Sequence, residues 1–285
     1  MSSTPFRLIA LDCDGTLVGP DSLVPPDIAT AVARADQAGI RICLATGRNY
    51  IETIDIWRQL ELTIPHEPII LVGGALVSEA ATARTLYHQP IPRDLANQFA
   101  DTLADEGYCA LALVDRWRHK LDYILTDVGD VETVENRWLS RMPCTVRRVA
   151  RLADATDAPA PLRISAIVAP EDGDALVARL QARFADQLTV HAILAPNYGV
   201  WIVECFHKDT NKLTALKYVS QAYRIPLSQV VAVGDDVNDL PMIEGAGLGV
   251  AMAKAPPHVQ DAANHVATDG LAAFIDDLLA GKMNP

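Results

Sequence analysis

Asp12 and Asp14 stand two residues apart in Asp12-Cys13-Asp14-Gly15-Thr16, directly after the apolar run Leu8 to Leu11. Thr46-Gly47-Arg48 follows a second apolar run, Ile40 to Ala45, and Gly234-Asp235-Asp236-Val237-Asn238-Asp239 follows a third, Val230 to Val233. Lys212 precedes a helical stretch from Leu213 to Tyr223. Short apolar runs stopped by polar turns read as buried strands. Asp12, Asp14, Thr46, Asp235 and Asp239 are therefore expected at or just beyond the carboxyl ends of strands, where open parallel sheets bind ligands. Carboxylates crowded on one sheet edge repel one another unless a cation joins them. A set of oxygen ligands without His or Cys favours a hard ion, and few carboxylates beside a phosphate favour Mg²⁺ over Ca²⁺.

The elements that must hold these residues follow from the same pattern. Pro25-Pro26 opens a helical stretch to Ala38, Gly39 closes it, and a helix near Ile51 to Leu60 leads to a strand from Ile69 to Val72. Strands alternating with helices imply a parallel sheet covered on both faces. The C-terminal part repeats this character and adds a strand from Gly249 to Ala253. The middle differs, with helical candidates Arg93 to Glu106 and Asp172 to Phe184 among alternating strands such as Leu162 to Val168 and Val200 to Cys205. The expected fold is α/β: a Rossmann-like parallel-sheet core from residues 1–86 and 207–285, with an inserted α+β domain at 87–206. Ala153 to Pro161 reads as a loop of that insert.

Composition limits the partners. Half the residues are hydrophobic and 21% are charged, enough apolar material for a sizeable core. A net charge of −12 excludes a nucleic-acid partner, since a polyanion needs a basic surface. A small phosphorylated metabolite stays compatible, because a metal ion and a few cations make a pocket locally positive. The cysteines, at 13, 43, 109, 144 and 205, are scattered and form no Cys-x-x-Cys pair, which fits a reducing cytoplasm. Phe6 to Leu11 is too short for a signal-peptide core or a membrane span, so no membrane partner is expected. No feature points to a particular oligomeric state.

The ordered motifs resemble those of the haloacid dehalogenase superfamily, and within it the Cof-like phosphatases with a large inserted cap. Asp12 to Leu17 is similar to the first motif, Thr46-Gly47-Arg48 to the second, Lys212 with Ala215-Leu216 to the third, and Gly234 to Asp239 to the fourth. Gly249 to Ala253 and Asp269-Gly270 resemble the subfamily's ending. The resemblance implies that Asp12 is the nucleophile, Asp14 the general acid and base, and Lys212 the group that neutralises transition-state charge. It implies phosphate or substrate binding by Thr46, Gly47, Arg48, Lys212 and Asn238, and a metal set of Asp12, Asp14, Asp235 and Asp239 around Mg²⁺. Asn238 and Asp239 would orient metal-bound water or Asp235 from the edge of the site. Where the subfamily shows Asn-Gly-Ala, this chain has Gly73-Gly74-Ala75, which removes a side-chain amide. Leu213 replaces a usual Gly, and Lys254 stands where Asn is common.

The expected activity is thus Mg²⁺-dependent hydrolysis of small phosphate monoesters, with sugar phosphates first among them, through an aspartyl phosphate. A phosphomutase of the same superfamily would share the chemistry and return the phosphoryl group. A metal-dependent nucleotide-sugar transferase would use Asp12 and Asp14 but leave Asp235 and Lys212 without a role, and a receiver-like domain would leave the insert without one. Taken singly, Asp-x-Asp is a common turn, Thr-Gly-Arg a helix entry, and Asp235 to Asp239 an acidic helix start. Lys208 lies one turn before Lys212 and competes with it for the lysine role. Within the insert, Arg116-Trp117-Arg118-His119-Lys120 sets cations around an aromatic that could meet a sugar face or an anion, or could be a solvated hairpin tip.

Overall fold

The computed structural model describes residues 4–195 and 200–283. The first segment runs β1 (Leu8–Leu11), α1 (Pro26–Gln37), β2 (Arg41–Leu44), α2 (Tyr50–Arg58), β3 (Pro68–Leu71), β4 (Leu76–Glu79) and β5 (Thr85–His88). The middle holds α3 (Arg93–Asp105), β6 (Leu111–Leu113), α4 (Arg116–His119), β7 (Tyr123–Thr126), α5 (Val131–Arg137), β8 (Val146–Val149), β9 (Arg163–Val168), α6 (Gly173–Phe184), β10 (Leu188–Ala195) and β11 (Val200–His207). The chain closes with α7 (Lys212–Tyr223), β12 (Val230–Gly234), α8 (Leu240–Gly245), β13 (Leu248–Met252), α9 (Pro257–Ala262), β14 (His265–Ala267) and α10 (Leu271–Leu279). It separates into two compact units, Met1–Tyr87 with Asn211–Pro285, and His88–Thr210. The second crossover falls after Thr210 because the Lys208 amide still bonds the Gln187 carbonyl of the insert (3.2 Å).

Among the described residues the core sheet is five-stranded in the order β14-β13-β12-β1-β2, with its neighbouring strands parallel. β1 lies between β12 and β2, with Leu11 opposite both Val233 and Leu44, so three strand ends come level. β1 and β12 are buried at every position, as a sheet covered on both faces requires. Leu8, Ala10, Val230 and Ala232 pack with Ala215, Leu216 and Val219 of α7 on one face. Pro26 stands at the first helical position of α1, where its missing amide costs nothing, and Asn49 forms a capping box with Glu52 at the start of α2.

The third strand departs from expectation. β3 heads a three-stranded sheet β3-β4-β5, antiparallel to β4, and meets the parallel sheet at the parallel bridge Ala45↔Ile70. A tight turn at Val72–Gly74 folds β4 straight back onto β3, which commits that edge to a hairpin.

The insert is α+β, with a six-stranded sheet β10-β11-β9-β6-β7-β8 among the described residues. α3 and α6 bring Phe99, Leu103, Leu176 and Phe184 onto the face that carries Ala112, Ile124, Ile164 and Val203. The sequence's basic cluster forms the short, exposed helix α4 at the tip of the antiparallel β6–β7 hairpin, where the Asp115 carboxylate accepts from the Arg118 amide and caps it.

Candidate active site

Asp12 follows the last residue of β1, and its amide bonds the Val233 carbonyl of β12 (2.9 Å), which fixes the nucleophile candidate between two strands. The Cys13 carbonyl then accepts from the Leu17 and Val18 amides (2.9 Å each), closing a tight loop. Gly15 sits at φ +80°, and a Cβ there would come 2.1 Å from Asp235 Oδ2. Only glycine lets the first and fourth motifs approach so closely. Thr16 Oγ1 donates to Asp235 Oδ1 across that contact (3.3 Å).

Lys212 is the first residue of α7, with its start capped by Asn211 Oδ1, which accepts from the Thr214 amide (2.9 Å). Its ammonium is buried and lies 2.6 Å from both Asp12 Oδ1 and Asp239 Oδ1. Lys208 is exposed and lies before this helix, so it is not the lysine brought to the carboxylates. Asp239 is fully buried, and its Oδ2 accepts from the Asp235 and Asp236 amides (3.0 and 3.1 Å). The sequence reading put Asp239 at the edge of the site. The structure corrects this, because the 3-10 turn Val237–Asp239 brings its carboxylate back under the loop it ends. Gly234 makes room, since a Cβ there would meet the Asp239 carboxyl carbon at 2.4 Å. Asn238 is exposed on the same turn.

Thr46 is buried after β2, with its amide on the Ile70 carbonyl (2.9 Å) and its hydroxyl oxygen accepting from the Arg48 amide (3.1 Å). A Cβ at Gly47 would meet nothing within 4 Å, so the space beside its backbone is open. Arg48 is engaged otherwise. Its Nε and Nη2 grip Asp14 Oδ2 and Oδ1 (2.8 and 2.5 Å), and its Nη1 donates to Ser22 Oγ (2.9 Å). A bidentate fork of this kind is among the stronger side-chain pairings. It draws the Asp14 carboxylate away from the metal set in which sequence placed it, and it turns the Arg48 side chain from a phosphate to Asp14.

Asp12, Asp235 and Asp239 remain as three carboxylates whose ligand oxygens lie within 4.8 Å of one another. Burial pushes the Asp12 carboxyl well up, the Asp239 and Asp235 charges push further, and Lys212 only partly offsets them. Burial and the charges of Asp239 and Asp236 push Asp235 up to about 6. For Lys212, burial works against the charged form, yet the Asp12 and Asp239 carboxylates outweigh it and hold the ammonium above the ordinary lysine value. One lysine does not balance three acids, and the donor set is all oxygen, so these residues fit a hard divalent cation. Thr16 and Ser22 were not singled out by the sequence reading. Thr16 belongs to the first motif and was open to notice, whereas only the fold brings Ser22 to Arg48.

In the insert, Trp117 is 40% exposed, with the Lys120 ammonium 4.7 Å from its ring centre. Arg116 and Arg118 pair with Asp122 and Asp115 (3.3 Å each), which neutralises much of the cluster's charge. Among the described residues no helix is long and apolar enough to cross a membrane.

Comparison with known proteins agrees with this geometry. The chain is 28% identical over 287 residues to the 5-amino-6-(5-phospho-D-ribitylamino)uracil phosphatase YitU of Bacillus subtilis, covering 97% of this chain and 98% of that protein. It is 28% identical over 283 residues to the pyridoxal phosphate phosphatase YbhA of Escherichia coli, covering 94% and 97%. The fold is similar to that of the subclass IIB sugar phosphatase BT4131, with a TM-score of 0.74 at 18% identity over 95% of this chain and 98% of that one. The family profile of haloacid dehalogenase-like hydrolases matches residues 9–274, from within β1 into α10. With that match running through all four motifs, the chain belongs to the haloacid dehalogenase-like hydrolases and is an enzyme of their phosphatase kind.

Proposed function

We propose that this enzyme hydrolyses small phosphate monoesters, sugar phosphates first among them, through an aspartyl phosphate formed on Asp12, with Mg²⁺ held by Asp12, Asp235 and Asp239. The observation that carries the reading is the buried Lys212 ammonium between Asp12 and Asp239 at the ends of β1 and β12. A transferase that used only Asp12 and Asp14 gives that lysine nothing to do. The YitU and YbhA names both specify small phosphorylated compounds, which supports the substrate size. The five cysteines are free, which goes with a reducing, cytoplasmic setting.

In this mechanism an Asp12 oxygen attacks phosphorus while the ester P–O bond breaks, and Asp14 delivers a proton to the departing oxygen. The Thr46 hydroxyl and the Gly47 amide orient the phosphoryl oxygens, and Lys212 holds Asp12 in place and neutralises charge gathering beside it. Asp14 then takes a proton from water, the water oxygen attacks phosphorus, and inorganic phosphate leaves with Asp12 restored. Bound Mg²⁺ supplies the charge that lets a carboxylate and a phosphate dianion approach. Arg48 orients the Asp14 carboxylate, and Asn238 stands on the exposed rim.

Free-phosphate detection across a panel of phosphorylated metabolites, with and without Mg²⁺, tests the proposal. Phosphate release from small monoesters is expected. Formation of an isomeric phosphate ester without free phosphate would replace it with a mutase.

A further inference from the structure

The turn at Val72–Gly74 takes no part in the chemistry above, yet its backbone is unusual. Three consecutive residues have positive φ: Val72 at 53°, Gly73 at 63° and Gly74 at 102°. A β-branched residue there is a genuine outlier, and such conformations persist only where the surroundings over-determine them. The surroundings of this turn are the phosphate-binding segment and the start of the lysine helix. On one side the Val72 amide donates to the Arg48 carbonyl (2.9 Å) and the Gly73 amide to the Thr46 carbonyl (3.0 Å), one bond on each side of Gly47. On the other, a Cβ at Gly74 would lie 2.2 Å from the Asn211 carbonyl oxygen and 3.1 Å from the Lys212 amide nitrogen. Asn211 in turn holds the first turn of α7, its Oδ1 accepting from the Thr214 amide and hydroxyl (2.9 and 3.2 Å).

Lysine is a poor choice for the first position of a helix, where the dipole is positive. The helix does not favour Lys212 at that position, so its ammonium needs support from elsewhere to sit 2.6 Å from both carboxylates. We propose that the Val72–Gly74 turn and Asn211 form a brace, in which Gly74 and Asn211 are positioning residues that set the Lys212 ammonium between Asp12 and Asp239 while the turn's amides hold Thr46 to Arg48 at the same edge. The inference rests on the phosphatase reading. Gly73 within the brace is itself left-handed (φ 63°, ψ 16°), a conformation that glycine adopts without strain.

The test compares Asn211→Ala, Asn211→Ser, Gly74→Ala and Lys212→Met in steady-state phosphate release from a small aryl phosphate, with thermal melting alongside. Displacing a catalytic group by about 1 Å costs up to about a hundredfold, so Asn211→Ala should lower kcat by roughly tenfold or more with KM changed less than about threefold. Asn211→Ser, which restores a capping oxygen, should recover most of that loss. Gly74→Ala should lose kcat in the same way if it folds, and the Asn211 pair decides the matter if it does not. Wild-type kcat in Asn211→Ala, with or without a lowered Tm, overturns the brace provided Lys212→Met is inactive. An active Lys212→Met overturns the phosphatase reading itself, and the brace with it.

Discussion

A carboxylate without solvent needs donors from the protein, and Asp239 has three: the Lys212 ammonium and the amides of Asp235 and Asp236. Asp235 is less buried and less committed, which leaves it the more available to a metal ion. Asp235→Asn should therefore raise the Mg²⁺ concentration needed for half-maximal activity more than Asp239→Asn does, while Asp239→Asn should lower the melting temperature more. Stranding a buried charge costs about 3–5 kcal/mol, but Asp239→Asn leaves Lys212 paired with Asp12 and relieves repulsion between the acids, so its stability loss in urea titrations should stay below that range. Asp12→Asn should fold and release no phosphate above background, because an amide cannot form the acyl phosphate; turnover near wild type would remove the covalent mechanism. Spacing put four acids, Asp12, Asp14, Asp235 and Asp239, at one edge, and the structure clusters three of them, Asp12, Asp235 and Asp239. Spacing did not reveal which of them lies beneath the others, because that depends on the path of the turn at Val237–Asp239, nor that Arg48 would spend its guanidinium on Asp14.

The strands and long helices were legible because their apolar periods are clean. β9, β11, α3 and α6 fall where alternation and helical spacing put them, within a residue or two at most ends. A misreading occurred where a turn redirected an edge, as at β3, while the exposed tip of the β6–β7 hairpin carries a capped helix, α4, that spacing did not foretell. The insert's sheet also buries an ion pair that sequence could not pair up, Arg163 on β9 with Glu204 on β11 (3.2 Å), which His191 on β10 supports (3.0 Å). Burial pushes the Glu204 carboxyl up, but Arg163 and His191 outweigh it and hold it below the ordinary glutamate value. A depressed carboxyl adds stability that is present above its unfolded value of about 4.3 and is lost as pH falls through the lower folded value. Glu204→Gln should thus destabilise the protein by about 3 kcal/mol near neutral pH, since it strands Arg163. The gap between variant and wild type in urea unfolding should narrow below about pH 4; a gap that stays constant into acid would show that Glu204 is not the titrating group.

At the scale of the whole chain, the roles proposed for the core residues cover a phosphoryl group, a metal and a proton, and leave recognition of the rest of the substrate to other residues. If the insert supplies it through the exposed face of Trp117, replacing Trp117 and Arg118 with Ala should reorder the preference among sugar phosphates while a generic aryl phosphate is hydrolysed about as before; an unchanged ranking would remove that surface from consideration. Chelation should abolish activity and added Mg²⁺ restore it, and full turnover in excess chelator would mean the carboxylates hold no catalytic ion. The order of strands carries one more consequence, for synthesis on the ribosome. β1 finds one neighbour in β2 soon after it emerges, but Leu8 must wait for Val230 to complete its other side. Pairings so distant in sequence are slow to form, because the loop must be closed before they reward it. Residues 88–210 are all made before Lys212 appears. A nascent chain therefore carries Asp12 through the synthesis of the whole insert without Lys212 or Asp239 beside it, and the proposed nucleophile gains these partners only once both have been translated.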